Sequence, residues 1–193
     1  LFFTNRGRVY KLNAYEVPEG KRTSKGTAIV NLLQLNPGEK IARTISFNTD
    51  SKENDDLKYL LFATKSGIVK KTPISDFKNI NKSGLIAINL KDGDELIGVN
   101  RTSGEEDIIL VTENGMSIRF NENDVRAMGR TATGVKGITL SKGDQVVSMD
   151  LISNGSDLLV VSEKGFGKRT ETEEYSCLLY TSPSPRDVEE SRM

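Results

Sequence analysis

The side chains in this sequence that could do chemistry are mostly cations, and they recur. Lys21-Arg22-Thr23-Ser24-Lys25, Lys78 with Lys82, and Arg126 with Arg130 each precede a glycine, at Gly26, Gly84 and Gly134. A second set follows an earlier glycine in four segments: Arg8, Lys11, Lys70, Lys71, Arg119, Lys168 and Arg169. Lysine and arginine spread along a surface bind phosphates by releasing condensed counterions, without reading sequence. Glycines at Gly20, Gly26, Gly84, Gly129 and Gly134 would let backbone amides approach a phosphate as well. The same cations would also serve as solvated charges that keep exposed strands from pairing with other chains. Strand alternation sends Lys70 and Lys71 to opposite faces, so one of the pair is expected to serve another purpose.

Little else supports catalysis. There is no histidine, no GxSxG elbow and no GxxxxGK phosphate loop, so a propeller-type hydrolase lacks its parts. The single cysteine, Cys177, leaves no disulfide to form within the chain and no metal-ligand spacing. Asp92-Gly93-Asp94-Glu95 starts like a calcium loop but lacks the later oxygen ligands, and reads as a turn. An acid recurs at Glu16, Asp76, Asp124 and Glu174, once per segment. That repetition predicts a structural role, with each carboxylate accepting backbone amides at a turn.

What positions these residues is a repeat. Four apolar stretches run into Gly7, Gly67, Gly115 and Gly165, which lie 60, 48 and 50 residues apart by subtraction. A basic residue stands four positions after each glycine, at Lys11, Lys71, Arg119 and Arg169. An acid and an apolar residue follow at nine and ten. A second glycine opens another apolar stretch in residues 26–32, 84–90 and 134–140, and a third turn leads into a further one at residues 40–45, 95–99 and 145–149. No sustained helical stripe appears. The reading is all-β: a partial array of propeller-like, four-stranded blades of about 50 residues. The units span about 1–47, 59–102, 107–152 and an incomplete 157–176, so the array is expected to have open ends. Residues 177–193 abandon the pattern and are read as a tail outside the fold, resembling linker read-through.

The formal charge is zero, from 27 Lys and Arg against 27 Asp and Glu, but its distribution is uneven. Residues 1–47 hold eight cations against three acids and residues 59–102 seven against four, whereas residues 107–152 hold five against six. The sequence opens without the basic start or apolar stretch of a signal peptide, and no run approaches the roughly 20 apolar residues of a membrane span. A soluble protein of the reducing cytoplasm is expected.

Four stretches carry a family resemblance: Phe3 to Tyr10, Gly26 to Leu33, Lys91 to Val99 and Val125 to Ile138. Together they resemble the C-terminal domain of the A subunit of bacterial DNA gyrase, over residues 1 to about 176. The related domain of topoisomerase IV is the less similar alternative. The resemblance implies a β-pinwheel whose blades exchange strands and which wraps double-stranded DNA around a basic perimeter, supporting negative supercoiling. It implies no cofactor or catalytic residue in this chain, with ATP and magnesium used by other parts of the enzyme. The implied partners are the B subunit, together with the remainder of the A subunit, in a heterotetramer. The family's basic heptapeptide box is absent from this chain, which is expected to bind DNA without imposing a fixed hand on it. The competing expectation is a propeller-like protein-interaction module that does not bind DNA.

Overall fold

In the computed structural model, which describes residues 1–47, 57–153, 155–175 and 180–181, every unit opens with the same hairpin. The loop ends on a glycine with positive φ, 73° at Gly7 and 82° at Gly67, Gly115 and Gly165. Each glycine amide donates to the carbonyl three residues back, on Thr4, Thr64, Thr112 or Ser162, at 2.9–3.0 Å. The hydroxyl of that same residue accepts the amide just after the glycine, on Arg8, Ile68, Met116 or Phe166, at 3.1–3.3 Å. All partners lie within four residues, so the loop closes from local sequence alone.

The hairpins pair β1 (Phe2–Thr4) with β2 (Arg8–Tyr10), β4 (Tyr59–Thr64) with β5 (Ile68–Pro73), β8 (Asp107–Thr112) with β9 (Met116–Asn121), and β12 (Asp157–Val161) with β13 (Gly167–Glu171). A third strand then returns antiparallel to the first of its own hairpin: β3 (Ile41–Thr44), β7 (Leu96–Thr102) and β11 (Val146–Ile152). The fourth strand of each sheet comes from the following unit. Thus β6 (Leu85–Ile86) lies on β2, β10 (Val135–Lys136) on β5, and β14 (Tyr180–Thr181) on β9. The sheets run β3-β1-β2-β6, β10-β5-β4-β7 and β11-β8-β9-β14, followed by the β12-β13 pair. Among the described residues the only helical segments are short 3-10 turns.

Glycine at the hairpin tip also receives the strand from the next unit. Ala87 N and Ile88 N both donate to Gly7 O, at 2.8 and 3.1 Å, and Gly137 N donates to Gly67 O at 2.8 Å. A Cβ on Gly7 would stand 2.6 Å from Ile88 O, and one on Gly67 would stand 2.7 Å from Ile138 Cγ2.

The sheets stack face to face, which explains the apolar runs in place of alternation. On β4, Leu60 and Phe62 face the first unit, packing with Phe3, Val9, Phe77 and Ile88. Leu61 and Ala63 face the third, packing with Ile108, Leu110, Val125 and Ile138. Phe3, Phe62 and Phe77 meet with ring centroids 5.7–6.2 Å apart. Adjacent sheets also touch along β3, β7 and β11, so the blades converge on that edge and present β6, β10 and β14 on the opposite, outer edge.

One expectation is corrected, and the predicted tail, of which residues 177–179 and 182–193 lie outside the described residues, holds one described pairing. Residues 26–32, predicted as a strand, form a 3-10 turn at Ile29–Asn31 with Val30 63% exposed. Strands as short as β6 and β10 depend on a neighbouring hairpin edge, and no described strand lies beside residues 26–28. Within the predicted tail, Tyr180 and Thr181 pair with Ser117 and Met116 on β9, the position equivalent to β6 and β10. Strand addition uses backbone bonds and so does not need the repeat's side chains. Cys177 lies outside the described residues.

Candidate nucleic-acid interface

The segments linking the second and third hairpins to their donated strands run along the outer edge, and they carry the first set of cations together with the corresponding segment of the first unit, which leads to no described strand. Each contains a tight turn: Ser24 N donates to Lys21 O, Gly84 N to Asn81 O and Ala132 N to Gly129 O, at 2.9–3.1 Å. Lys21, Arg22, Lys25, Lys78, Lys82 and Arg126 are exposed, and none has an ion-pair partner among the described residues. Arg130 is half-buried, with its Nη1 donating to Ile86 O at 3.4 Å. Lys136, exposed on the donated strand β10, shares this edge. Its segment has the apolar pattern of an interior strand, which hides the exposure of this one side chain in the sequence.

The second set divides. Lys11 and Lys168 are exposed. Arg8 donates through Nη2 to Ser83 O at 2.7 Å and lies over the Tyr10 ring. Arg169 is ion-paired with Asp157 at 2.6 Å, its side chain still 76% exposed. Lys70 and Lys71 do point to opposite faces, but both are buried, at 0% and 5% exposure, so neither can reach a phosphate. The sheet carrying them is covered on both faces, and alternation therefore exposes neither.

These buried cations bridge units. Lys70 Nζ donates to Ala87 O at 2.6 Å and also to Arg130 O and Ala132 O. Burial, then the nearby Arg130 charge, lowers its pKa to about 8. Lys71 Nζ donates to Glu122 O at 2.8 Å and lies 4.0 Å from Glu122 Oε2. Arg119, at the same repeat position, pairs with Asp107 at 2.7 Å and donates to Thr172 O at 2.8 Å. Glu122 and Thr172 each stand seven residues after their own turn glycine. In the second and third units the cation four positions after the glycine thus holds the next unit's 3-10 turn.

The acids are also redistributed. Of the predicted series only Glu16 accepts a backbone amide, from Asn13 at 2.8 Å. Asp76 takes a long hydroxyl bond from Ser75, and Asp124 and Glu174 have no hydrogen-bond partner among the described residues. The amide-binding carboxylates lie in the third turn: Asp94 accepts Ser66 N and Glu95 N at 2.9 Å, and Asp144 accepts Asn114 N at 3.1 Å and Gln145 N at 2.9 Å. The equivalent Glu39 accepts Thr4 Oγ1 at 2.6 Å, Asn36 N at 2.8 Å and Tyr10 OH at 3.0 Å. Burial of Glu39 opposes its ionisation, but these donors outweigh it and hold the pKa below the ordinary carboxylate value. Glu122, fully buried, accepts Thr102 Oγ1, Gly104 N and Glu106 N at 2.8–2.9 Å, and burial raises its pKa. Its sequence signal is weak, since no other unit has an acid there.

Strand-exchanged, stacked β-sheets with basic turns along their outer edge define a partial array of β-propeller-like blades. The family model for the DNA gyrase C-terminal domain, beta-propeller, matches residues 1–48, 58–103, 106–153 and 156–178, and the chain belongs to that family. It is 66% identical over 177 residues to the DNA gyrase A protein of Clostridium acetobutylicum, covering 92% of this chain and 21% of that protein. The corresponding gyrase A protein of Halalkalibacterium halodurans is 53% identical over 137 residues, 71% of this chain and 16% of that one. The chain therefore spans about a fifth of the length of these relatives. A solved topoisomerase IV C-terminal domain superposes with a TM-score of 0.82 at 33% identity, covering 93% of this chain and 55% of that structure. A solved gyrase A C-terminal domain gives 0.75 at 33% identity, covering 94% and 58%.

Proposed function

We propose that this chain binds duplex DNA along the outer edge of its blades without reading sequence, and curves it as part of a gyrase-type, ATP-dependent type II topoisomerase. The supporting observation is the recurrence of exposed cations, without ion-pair partners among the described residues, in the turns before the donated strands β6 and β10, Lys78 and Lys82, then Arg126, and in the corresponding turn of the first unit, Lys21, Arg22 and Lys25. Arg130 and Lys136 flank that path, and Lys11, Arg8, Lys168 and Arg169 are secondary contacts. In this reading the chain needs no cofactor, and ATP and magnesium act elsewhere in the enzyme. Its partners in the cytoplasm are the B subunit, together with the remainder of the A subunit.

The test is affinity for a duplex of about 40 base pairs across a salt series, comparing the chain with K21A/R22A/K25A. Removing one phosphate contact lowers the log–log salt slope by about 0.9, so the triple variant should be shallower by up to about 3. Absence of binding by the unmodified chain at low salt would overturn the reading.

A protein-interaction surface is a second reading, favoured by one observation. Leu159, Val161 and Phe166 on the last hairpin are 61–78% exposed, and apolar patches of this kind commonly mark partner sites.

A further inference from the structure

The strand leaving the second unit and the strand arriving from the third pass each other beside β5, and one side chain ties them together. Lys70 Nζ reaches Ala87 O in the departing segment, and Arg130 O and Ala132 O in the turn that precedes β10. Three ammonium protons meet three carbonyls, with the Phe62 ring 5.4 Å below. No carboxylate lies within ion-pair distance of Lys70 among the described residues. A buried cation without a counter-ion is a costly way to gain stability, which points to a role in geometry. The equivalent positions in the first, third and fourth units are Tyr10, Ile118 and the exposed Lys168, which makes no such bonds among the described residues, so among these the device belongs to this joint.

The same two segments are stitched at the surface. Asn89 Nδ2 donates to Thr131 O at 2.6 Å, Asn89 N to Ala132 O at 3.3 Å, and Arg130 Nη1 to Ile86 O at 3.4 Å. The basic turn of the third unit is thereby seated on the donated strand of the second. Its cations keep a fixed offset from Lys78 and Lys82.

We propose that Lys70 is a positioning residue that sets the offset between successive basic turns, and through it the curvature imposed on bound DNA. This rests on the DNA-binding reading above. Lys70 contributes no phosphate contact itself, so its loss separates bending from charge.

The experiment compares the full chain with K70M and with N89A, which removes the Asn89 side-chain bond of the surface stitch without touching the core. Two measurements are made: the salt slope on a straight duplex of about 20 base pairs, and energy transfer between end labels on a duplex of about 60, well below the persistence length. Both variants should keep the wild-type salt slope and bind the short duplex within about threefold, and both should lose at least about half of the end-to-end approach on the longer one. If K70M fails to fold, K70Q, which keeps a polar side chain but cannot serve all three carbonyls, carries the test of Lys70 beside N89A. Wild-type bending in the folded variants would overturn the positioning role while leaving DNA binding intact. A reduced salt slope in K70M would overturn it too, by making Lys70 a phosphate contact. Failure of the unmodified chain to bind would instead overturn the reading on which the proposal rests.

Discussion

Lys71 Nζ donates to Glu122 O at 2.8 Å across the junction of the second and third units, and Arg119 makes the matching bond to Thr172 O at 2.8 Å across the next. At these two junctions a cation that marks the repeat in sequence is therefore a blade-to-blade tie. Lys71→Met should destabilise the chain by about 3 kcal/mol, since it leaves Glu122 buried without its cation. Its DNA salt slope should match wild type. Denaturant midpoints and the salt series check the two halves separately, and a shallower slope would return Lys71 to the DNA surface.

Glu122 and Glu39 should respond to pH in opposite senses. Burial raises the Glu122 pKa, so the folded state holds the extra proton above the ordinary carboxylate range. Its contribution is present below the unfolded pKa and lost as pH rises through the folded one. The stability of wild type relative to E122Q should accordingly fall as pH rises across that window.

For Glu39 the folded pKa lies below the ordinary value, because its three donors outweigh its burial. The stabilisation is present above the unfolded pKa and lost as pH falls through the folded one. Glu39→Gln should cost about 1–3 kcal/mol near neutrality, with the gap closing in acid, as read by thermal unfolding across pH.

Gly67 and Gly115 share a φ of 82° but differ in surroundings. A Cβ on Gly67 meets Ile138 Cγ2 at 2.7 Å, whereas one on Gly115 meets nothing within 4 Å among the described residues. Against the described residues, Gly115→Ala should cost the left-handed backbone penalty, about 1–2 kcal/mol. Gly67→Ala should cost at least about 1 kcal/mol more, through displacement of the received strand. Equal losses in urea unfolding would mean that the exchanged segment yields freely.

The sequence by itself determined the repeat, the all-β class and the hairpin tips. These features rest on partners within four residues, as in the Thr64 hydroxyl accepting the Ile68 amide. It also placed the cations Lys21, Arg22, Lys25, Lys78, Lys82 and Arg126 in polar turn segments, where they are exposed. Tertiary structure decided the rest. Whether a lysine faces solvent depends on what covers its strand: Lys70 meets Arg130 from 60 residues away, and Lys71 meets Glu122 from 51. Glu39 binds Thr4 across 35 residues, while the recurring acids at Asp124 and Glu174 found no partner among the described residues. Residues 26–28 show the converse, since they share the pattern of β6 and β10 but no described strand pairs with them. Periodicity records where a side chain points along its own strand, whereas burial and charge pairing are set by the neighbouring unit that closes over it.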